Sequence, residues 1–392
     1  MIQDHYQALK ARNLSINASR GRPHTSQVDL CSGMLSSLET HFSEDGADVR
    51  NYGGLDGIPE MKRIFAQILD VSPQNIIVGG NSSISMMFDC IAALIHKGIW
   101  AAGQKFLCPS PGYDKHFAIC EYFGLKMLSV PMTLTGPDMD VTEALAKDPD
   151  VAGMWCVPVF SNPQGYIYSD ETIRRLASMP TAHPSFRLLW DDAYSVHNFR
   201  GTRPKIANIL HECTNCGNAA RPLLFTSFSK ISTPGAGVVC MAADENELKI
   251  FRERINIQTI GPDKINQLRH AHFFKDLSGV LAHMKKHANI LRPKFERAYE
   301  VLETGLAGTG ASFIQSDGGY FISIDTPPGC AKKVWQLCKE AGVLLTDAGA
   351  TYPYGNDPLD TNLRLAPTGL SIDEIEQALE VLIVAVKLAV LK

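Results

Sequence analysis

The sequence predicts an α/β protein in which a mainly parallel sheet, covered by helices on both faces, is followed by a second, smaller α/β unit. Three observations carry this expectation. From about residue 75 to 257, short apolar β-type runs alternate with helix-period segments, the pattern of strands joined by helical crossovers. Three of those runs close in polar clusters, which lines up reactive groups on the sheet edge where parallel α/β proteins bind ligands. After about residue 280 the alternation gives way to one long helical stretch and three short strand candidates.

In chain order, the β-branched run 75–78 passes through Gly79-Gly80 into a helix over 84–96. Strands at 105–108 and 127–130 lead into helices over 115–123 and 141–147. The apolar run 154–160 leads into a helix over 170–178, with Asp170 and Glu171 in its first turn. The run 186–190 precedes a short segment reaching Leu210, and 223–225 precedes a Gly-rich stretch. A strand at 238–241 feeds a helix over 245–257. The second unit holds a helix over 279–302, strands at 320–324, 343–345 and 362–365, and helices over 332–339 and 372–387.

A chain of 392 residues with 45% hydrophobic content has ample core for two or three domains. Its net charge of −4 creates no field suited to nucleic acid or anionic membranes, and no run of five or six like charges occurs. The first residues, Met1-Ile2-Gln3-Asp4-His5-Tyr6, lack the apolar stretch of a signal peptide. The apolar tract 378–391 is too short to span a bilayer and is broken by Glu380 and Lys387, which predicts an amphipathic helix. Most of the ten cysteines sit singly in apolar runs, which suits a reducing, cytoplasmic compartment. Cys213 and Cys216, in a Cys-x-x-Cys beside His211, are the exception. Without a second pair or a leading strand they read as a surface loop rather than a metal or redox site.

The polar clusters carry the chemistry. Lys230 ends Thr226-Ser227-Phe228-Ser229-Lys230, before Pro234-Gly235-Ala236-Gly237. Burial at a strand end disfavours an ammonium, which makes the amine nucleophilic enough for Schiff-base chemistry. Ser161-Asn162-Pro163-Gln164-Gly165 closes the run before it, and Asp191-Asp192-Ala193-Tyr194 closes the next. The two-residue strand period sends Asp191 and Asp192 to opposite faces. Val78-Gly79-Gly80-Asn81-Ser82-Ser83, between a strand and a helix, offers a tight turn, an N-cap and hydroxyls to an anion. Arg364 lies in the apolar strand Leu363-Arg364-Leu365-Ala366, where a guanidinium requires an anionic partner.

The order Asn162-Pro163-x-Gly165, Asp191-x-Ala193-Tyr194 and Ser227-x-Ser229-Lys230 resembles the fold-type-I pyridoxal-phosphate-dependent aminotransferases, in their aspartate-aminotransferase-like branch. Asn51-Tyr52-Gly53-Gly54-Leu55-Asp56-Gly57-Ile58-Pro59 and Asn362-Leu363-Arg364-Leu365-Ala366-Pro367 extend the resemblance over nearly the whole chain. It implies a mainly parallel, seven-stranded type of sheet in a large domain over 49–285, with 1–48 and 286–392 forming a discontinuous small domain. It also implies pyridoxal phosphate held by Lys230, with Asp191 facing the ring nitrogen and Tyr194 and Asn162 at the phenolic oxygen. Gly80, Asn81 and Ser82 would hold the phosphate, Ser227 and Ser229 would contact the cofactor beside Lys230, and Tyr113 would stack on the ring. Arg364 would bind the substrate carboxylate bidentately, with Gly33 and Asn162 alongside. Tyr52 and the segment carrying Lys264 would reach the other subunit's site, which implies a homodimer; Lys264 would meet a distal carboxylate or the phosphate. One departure stands out: Gly235-Ala236-Gly237 lacks the arginine that grips the phosphate in many relatives.

The reading is transamination from an amino acid, with aspartate and 2-oxoglutarate the leading pair, and no metal. A decarboxylase or β-lyase on the same scaffold is the nearest rival. A ligand-sensing regulator would need a basic DNA-binding module before Tyr52, and the preceding residues contain none.

Overall fold

The computed structural model describes residues 2–36 and 38–391. Its strands are β1 (Ile16–Asn17), β2 (Ile76–Val78), β3 (Lys105–Ser110), β4 (Lys126–Thr133), β5 (Gly136–Pro137), β6 (Val151–Cys156), β7 (Arg187–Asp191), β8 (Pro222–Ser227), β9 (Val239–Ala242), β10 (Ser312–Phe313), β11 (Ile322–Asp325), β12 (Val343–Leu344) and β13 (Asn362–Leu365). The large sheet has the order β2-β9-β8-β7-β6-β3-β4-β5. Pairings from β8 through β7, β6 and β3 to β4 are parallel, whereas β9 runs antiparallel to β8 and β2. The expected seven strands are present, and the two-residue β5 adds an eighth by folding back on β4.

Strand period two places Ile77, Phe106, Trp155, Leu189 and Phe225 in one core and Val78, Leu107, Met154, Leu188 and Leu224 in another, on the opposite face. Helices cover both faces, so the central strands are buried on both sides and read as continuous apolar runs. One run misleads. The apolar stretch 154–160 stops being a strand after Cys156. Pro158 has no N–H to extend a ladder, and Phe160 takes φ +50°, which turns the chain into the Asn162 loop.

A third core gathers β11, β13, helices Ala331–Glu340 and Ile372–Val390, and helix Ile2–Ala11. Residues Tyr6 to Ala18 belong there, and β1 pairs in parallel with β12. Cys31 and Met34 instead pack into a core of the large sheet. The expected small-domain share 1–48 is therefore divided between the two units. Helix Leu277–Gly305 joins them, with Val280 and Met284 in the large-sheet core and Leu291, Phe295 and Leu302 in the third. The expected boundary at 285 falls inside that continuous helix.

Candidate active site

Because β6, β7 and β8 are parallel neighbours, their carboxyl ends lie side by side. Each strand hands one group to the same edge: Asn162 from the loop after β6, Asp191 from the end of β7, Lys230 from the turn after β8. These groups line a pocket of about 140 Å³ together with Ser82, Tyr113, Tyr194 and Ser229. Ser83 lines it as well and opens the 14-residue helix Ser83–His96. The N-cap residue Ser82 makes no side-chain cap bond, so the first N–H groups of that helix remain for an anion.

Asp191 is 4% exposed. Its Oδ2 accepts a hydrogen bond from His116 Nε2 at 3.1 Å, and the His116 ring stacks on Trp155 at 4.1 Å. The same oxygen fixes the His116 tautomer, because only an Nε2–H can donate to a carboxylate. Asp191 Oδ1, also buried, has no protein partner. Asp192 points the other way, into a separate cavity lined by Trp190 and Arg203. Burial pushes its carboxyl up from 3.8 to about 6, partly opposed by Arg203.

Lys230 is half-buried rather than buried, with Nζ 5.1 Å from the centre of the Tyr194 ring and 6.0 Å from that of Tyr320. Burial raises the Tyr113 phenol to about 12, and the nearby Lys230 charge opposes that shift. Burial drives the Tyr194 phenol well above 10, and the Asp191 charge adds to it. Ser227 Oγ donates to Ser229 Oγ at 3.2 Å, and Ser229 Oγ donates to the Asn81 carbonyl at 2.9 Å. Gly237 makes this approach feasible: a Cβ there would lie 2.9 Å from Ser229 Oγ and 3.0 Å from the Asn81 oxygen.

Arg364 is 5% exposed and stacks over Phe321, 4.8 Å from the ring centre. Its Nη1 donates to Asn162 Oδ1 at 3.1 Å and pairs with Asp114 Oδ1 at 2.9 Å, while Nε donates to Thr346 Oγ1 at 3.1 Å. The guanidinium is thus tied to the pocket through Asn162. Asp114, His116, Thr346 and Phe321 were not foreseen. His116 follows Tyr113 at helix spacing, a signal that was available; Asp114, Thr346 and Phe321 gain their roles through tertiary packing alone.

Other expected residues lie elsewhere. Gly33 sits exposed on the 3-10 helix Asp29–Leu35, against Phe273 and outside the pocket lining, because this segment coils rather than extending across the site. Gly80 and Asn81 form the turn behind Ser82; Gly80 has φ +68°, and the Asn81 carbonyl anchors Ser229. Tyr52 is 79% exposed. Lys264 is buried, its Nζ donating to the Asn51 carbonyl at 2.9 Å and the Gly53 carbonyl at 2.6 Å. Two of its three N–H donors hold the Tyr52 loop, which gives no support to its expected role at a distal carboxylate. Cys213 is buried and Cys216 exposed, and among the described residues no cluster of three or more His, Cys, Asp or Glu could hold a metal.

The unpartnered oxygen of Asp191 decides what the pocket suits. A buried carboxylate oxygen needs an N–H donor, and the protonated ring nitrogen of pyridoxal phosphate is one. An amine for its aldehyde and a helix end for its phosphate line the same pocket, so the residues fit the group. The fold and site define a pyridoxal-phosphate enzyme. A family model described as aspartate amino-transferase matches residues 1–392. The aspartate aminotransferase of Corynebacterium glutamicum is 43% identical over 99% of this chain and 92% of its own. A crystal structure of an aspartate transaminase from that organism superposes with a TM-score of 0.95 at 42% identity, covering 99% of this chain and 94% of the other. An α-aminoadipate aminotransferase from Thermus thermophilus, 19% identical with a TM-score of 0.78 over 97% and 95% of the two chains, shares the fold. The chain belongs to the aspartate aminotransferase family, and it is an aminotransferase whose cofactor is pyridoxal phosphate.

Proposed function

We propose that the enzyme transfers the amino group of L-aspartate to 2-oxoglutarate in two half-reactions, as a cytoplasmic homodimer. The observation that carries this reading is the place of Arg364, a buried guanidinium whose Nη1 lies 3.1 Å from Asn162 Oδ1 at the edge of the Lys230 pocket. An amino acid gripped there by its carboxylate presents its amine and Cα toward Lys230. The C. glutamicum relative, named an aspartate aminotransferase, supports the choice of donor.

Bound pyridoxal phosphate supplies an aldehyde that takes up the amine and a ring that accepts electrons as the Cα proton leaves. In this reading Lys230 Nζ holds the cofactor and then carries the proton from Cα. Asp191, oriented by His116, keeps the ring nitrogen protonated. Tyr194 and Asn162 would donate to the cofactor's phenolic oxygen, and Tyr113 would pack against its ring. In place of an arginine, the N–H groups opening helix Ser83–His96 and the hydroxyls of Ser82, Ser83, Ser227 and Ser229 hold the phosphate. Arg364 binds the α-carboxylate, which competes with Asp114 for the guanidinium.

The dimer is supported by an exposed apolar surface: Tyr52, Ile257 and Ile260 are 79%, 89% and 65% exposed, and Gly53 N donates to the Ile260 carbonyl at 3.0 Å, joining the two loops. Among the described residues no helix is long and apolar enough to cross a membrane.

A screen of amino donors against 2-oxoglutarate tests the assignment. Aspartate should give the highest kcat/KM. Release of carbon dioxide or of an eliminated side chain without a 2-oxo acid acceptor would replace this reading with the decarboxylase or β-lyase.

A further inference from the structure

Beneath the pocket lies a buried set of side chains that the proposed chemistry does not use: Gln27, His283, His287 and Tyr320. Gln27 belongs to the short helix Thr25–Val28, whose capping box fixes its amide. The His24 backbone N–H donates to Gln27 Oε1 at 2.9 Å, so the amide nitrogen occupies the other side. That nitrogen lies 2.9 Å from His287 Nδ1 and 3.3 Å from the Tyr320 hydroxyl, one N–H for each. His287 Nδ1 therefore accepts, and the ring proton is on Nε2. With its proton on Nε2, His287 donates directly to the Ile231 carbonyl, and the His283 ring packs beside it, its Nε2 3.0 Å from both His287 Nε2 and that carbonyl. On the other side, the Tyr320 hydroxyl donates to the Lys230 carbonyl at 3.3 Å. Two arms that begin on one amide nitrogen end on consecutive carbonyls of the turn that carries Lys230. Burial lowers both imidazoles, His287 to about 3, so the rings are neutral at neutral pH and each offers one donor and one acceptor.

We propose that Gln27 is a positioning residue for Lys230, its amide setting the backbone of the lysine-bearing turn through His287 on one side and Tyr320 on the other. Gln27 acts through other residues and touches none of the reacting atoms. The arrangement ties the N-terminal segment, which packs against the large-sheet core, to the placement of the amine. This inference rests on Lys230 being the cofactor lysine.

The test compares Gln27→Met, which keeps bulk but removes both donors, with Tyr320→Phe, which cuts one arm. Amide hydrogen exchange is read on the cofactor-free chain, and the visible absorption of the holoenzyme is titrated with pH. Exchange at residues 228–232 should accelerate by about tenfold or more in both variants. The titration midpoint of the visible band should move in both, and kcat should fall about 10- to 100-fold with KM for aspartate little changed, because Arg364 is untouched. The double variant should lose less than the sum of the two single losses, since both arms start at the same amide. Should Gln27→Met fail to fold, Gln27→Glu retains the acceptor to His24 and removes both donors. Unchanged exchange at 228–232 with an unchanged titration in folded variants overturns the proposal. So does faster exchange confined to residues 24–35, which marks a helix anchor only. Borohydride labelling of a lysine other than Lys230 removes the site reading instead and leaves the exchange result standing.

Discussion

Asp191 and Asp192 are adjacent in sequence and face opposite surroundings. Asp191 meets His116 and leaves its buried Oδ1 without a protein partner, whereas Asp192 is buried beside Arg203. Replacing Asp191 with Asn should cut transamination by about a hundredfold or more while the link to Lys230 still forms. Asp192→Asn should leave kcat within a few-fold and alter the pH dependence of stability instead. The folded chain holds the Asp192 proton more tightly than the unfolded one, since the carboxyl moves from 3.8 to about 6. Its contribution to stability is thus complete below about pH 4 and is lost as pH rises through about 6. Asp192→Asn should therefore gain up to about 2–3 kcal/mol relative to wild type between pH 5 and 8, read as a rising difference in Tm. Equal Tm differences at both pH values would contradict this. Arg364→Ala should lose about 2–5 kcal/mol of kcat/KM with every amino acid tried, chiefly through KM. Unchanged kinetics in a folded variant would reduce Arg364 to the structural partner of Asp114.

Among the elements, the most constrained is the meeting of three turns at Asn81, Ser229 and Gly237. Gly237→Ala would force Asn81 and Ser229 apart, because both approach within about 3 Å of the new methyl. Cofactor retention should weaken measurably in equilibrium dialysis, with about 1–3 kcal/mol lost from stability by overpacking. Retention at the wild-type level would show that this junction does not shape the phosphate end. Most of this region was legible before the fold was known. Lys230, Asp191 and Asn162 each close an apolar run, and parallel neighbours bring such ends together. Gly33 lies outside the pocket lining, and motif position alone does not reveal that Asp29–Leu35 coils on the sheet core. Asp114 was missed because its meaning depends on β13, some 250 residues away in sequence, swinging Arg364 toward it. Gln27 and the His283–His287 pair were invisible for the same reason: a glutamine and a histidine pair some 260 residues further along signify nothing until packing joins them.

For the whole molecule, helix Leu277–Gly305 carries side chains into both the large-sheet core and the C-terminal core, so Arg364 and Lys230 are held by units that share one rigid element. Lys264 braces the Tyr52 loop, so Lys264→Met should weaken the proposed dimer and cofactor retention without changing the preference for aspartate over alanine. A lost preference with intact retention would restore Lys264 to the distal carboxylate. The central claim, amino transfer through a cofactor held by Lys230, is tested most directly by a single half-reaction. Holoenzyme mixed with L-aspartate and no acceptor should release one oxaloacetate per subunit and stop, then resume when 2-oxoglutarate is added. Continuous turnover without acceptor, or release of carbon dioxide in place of oxaloacetate, would contradict the account.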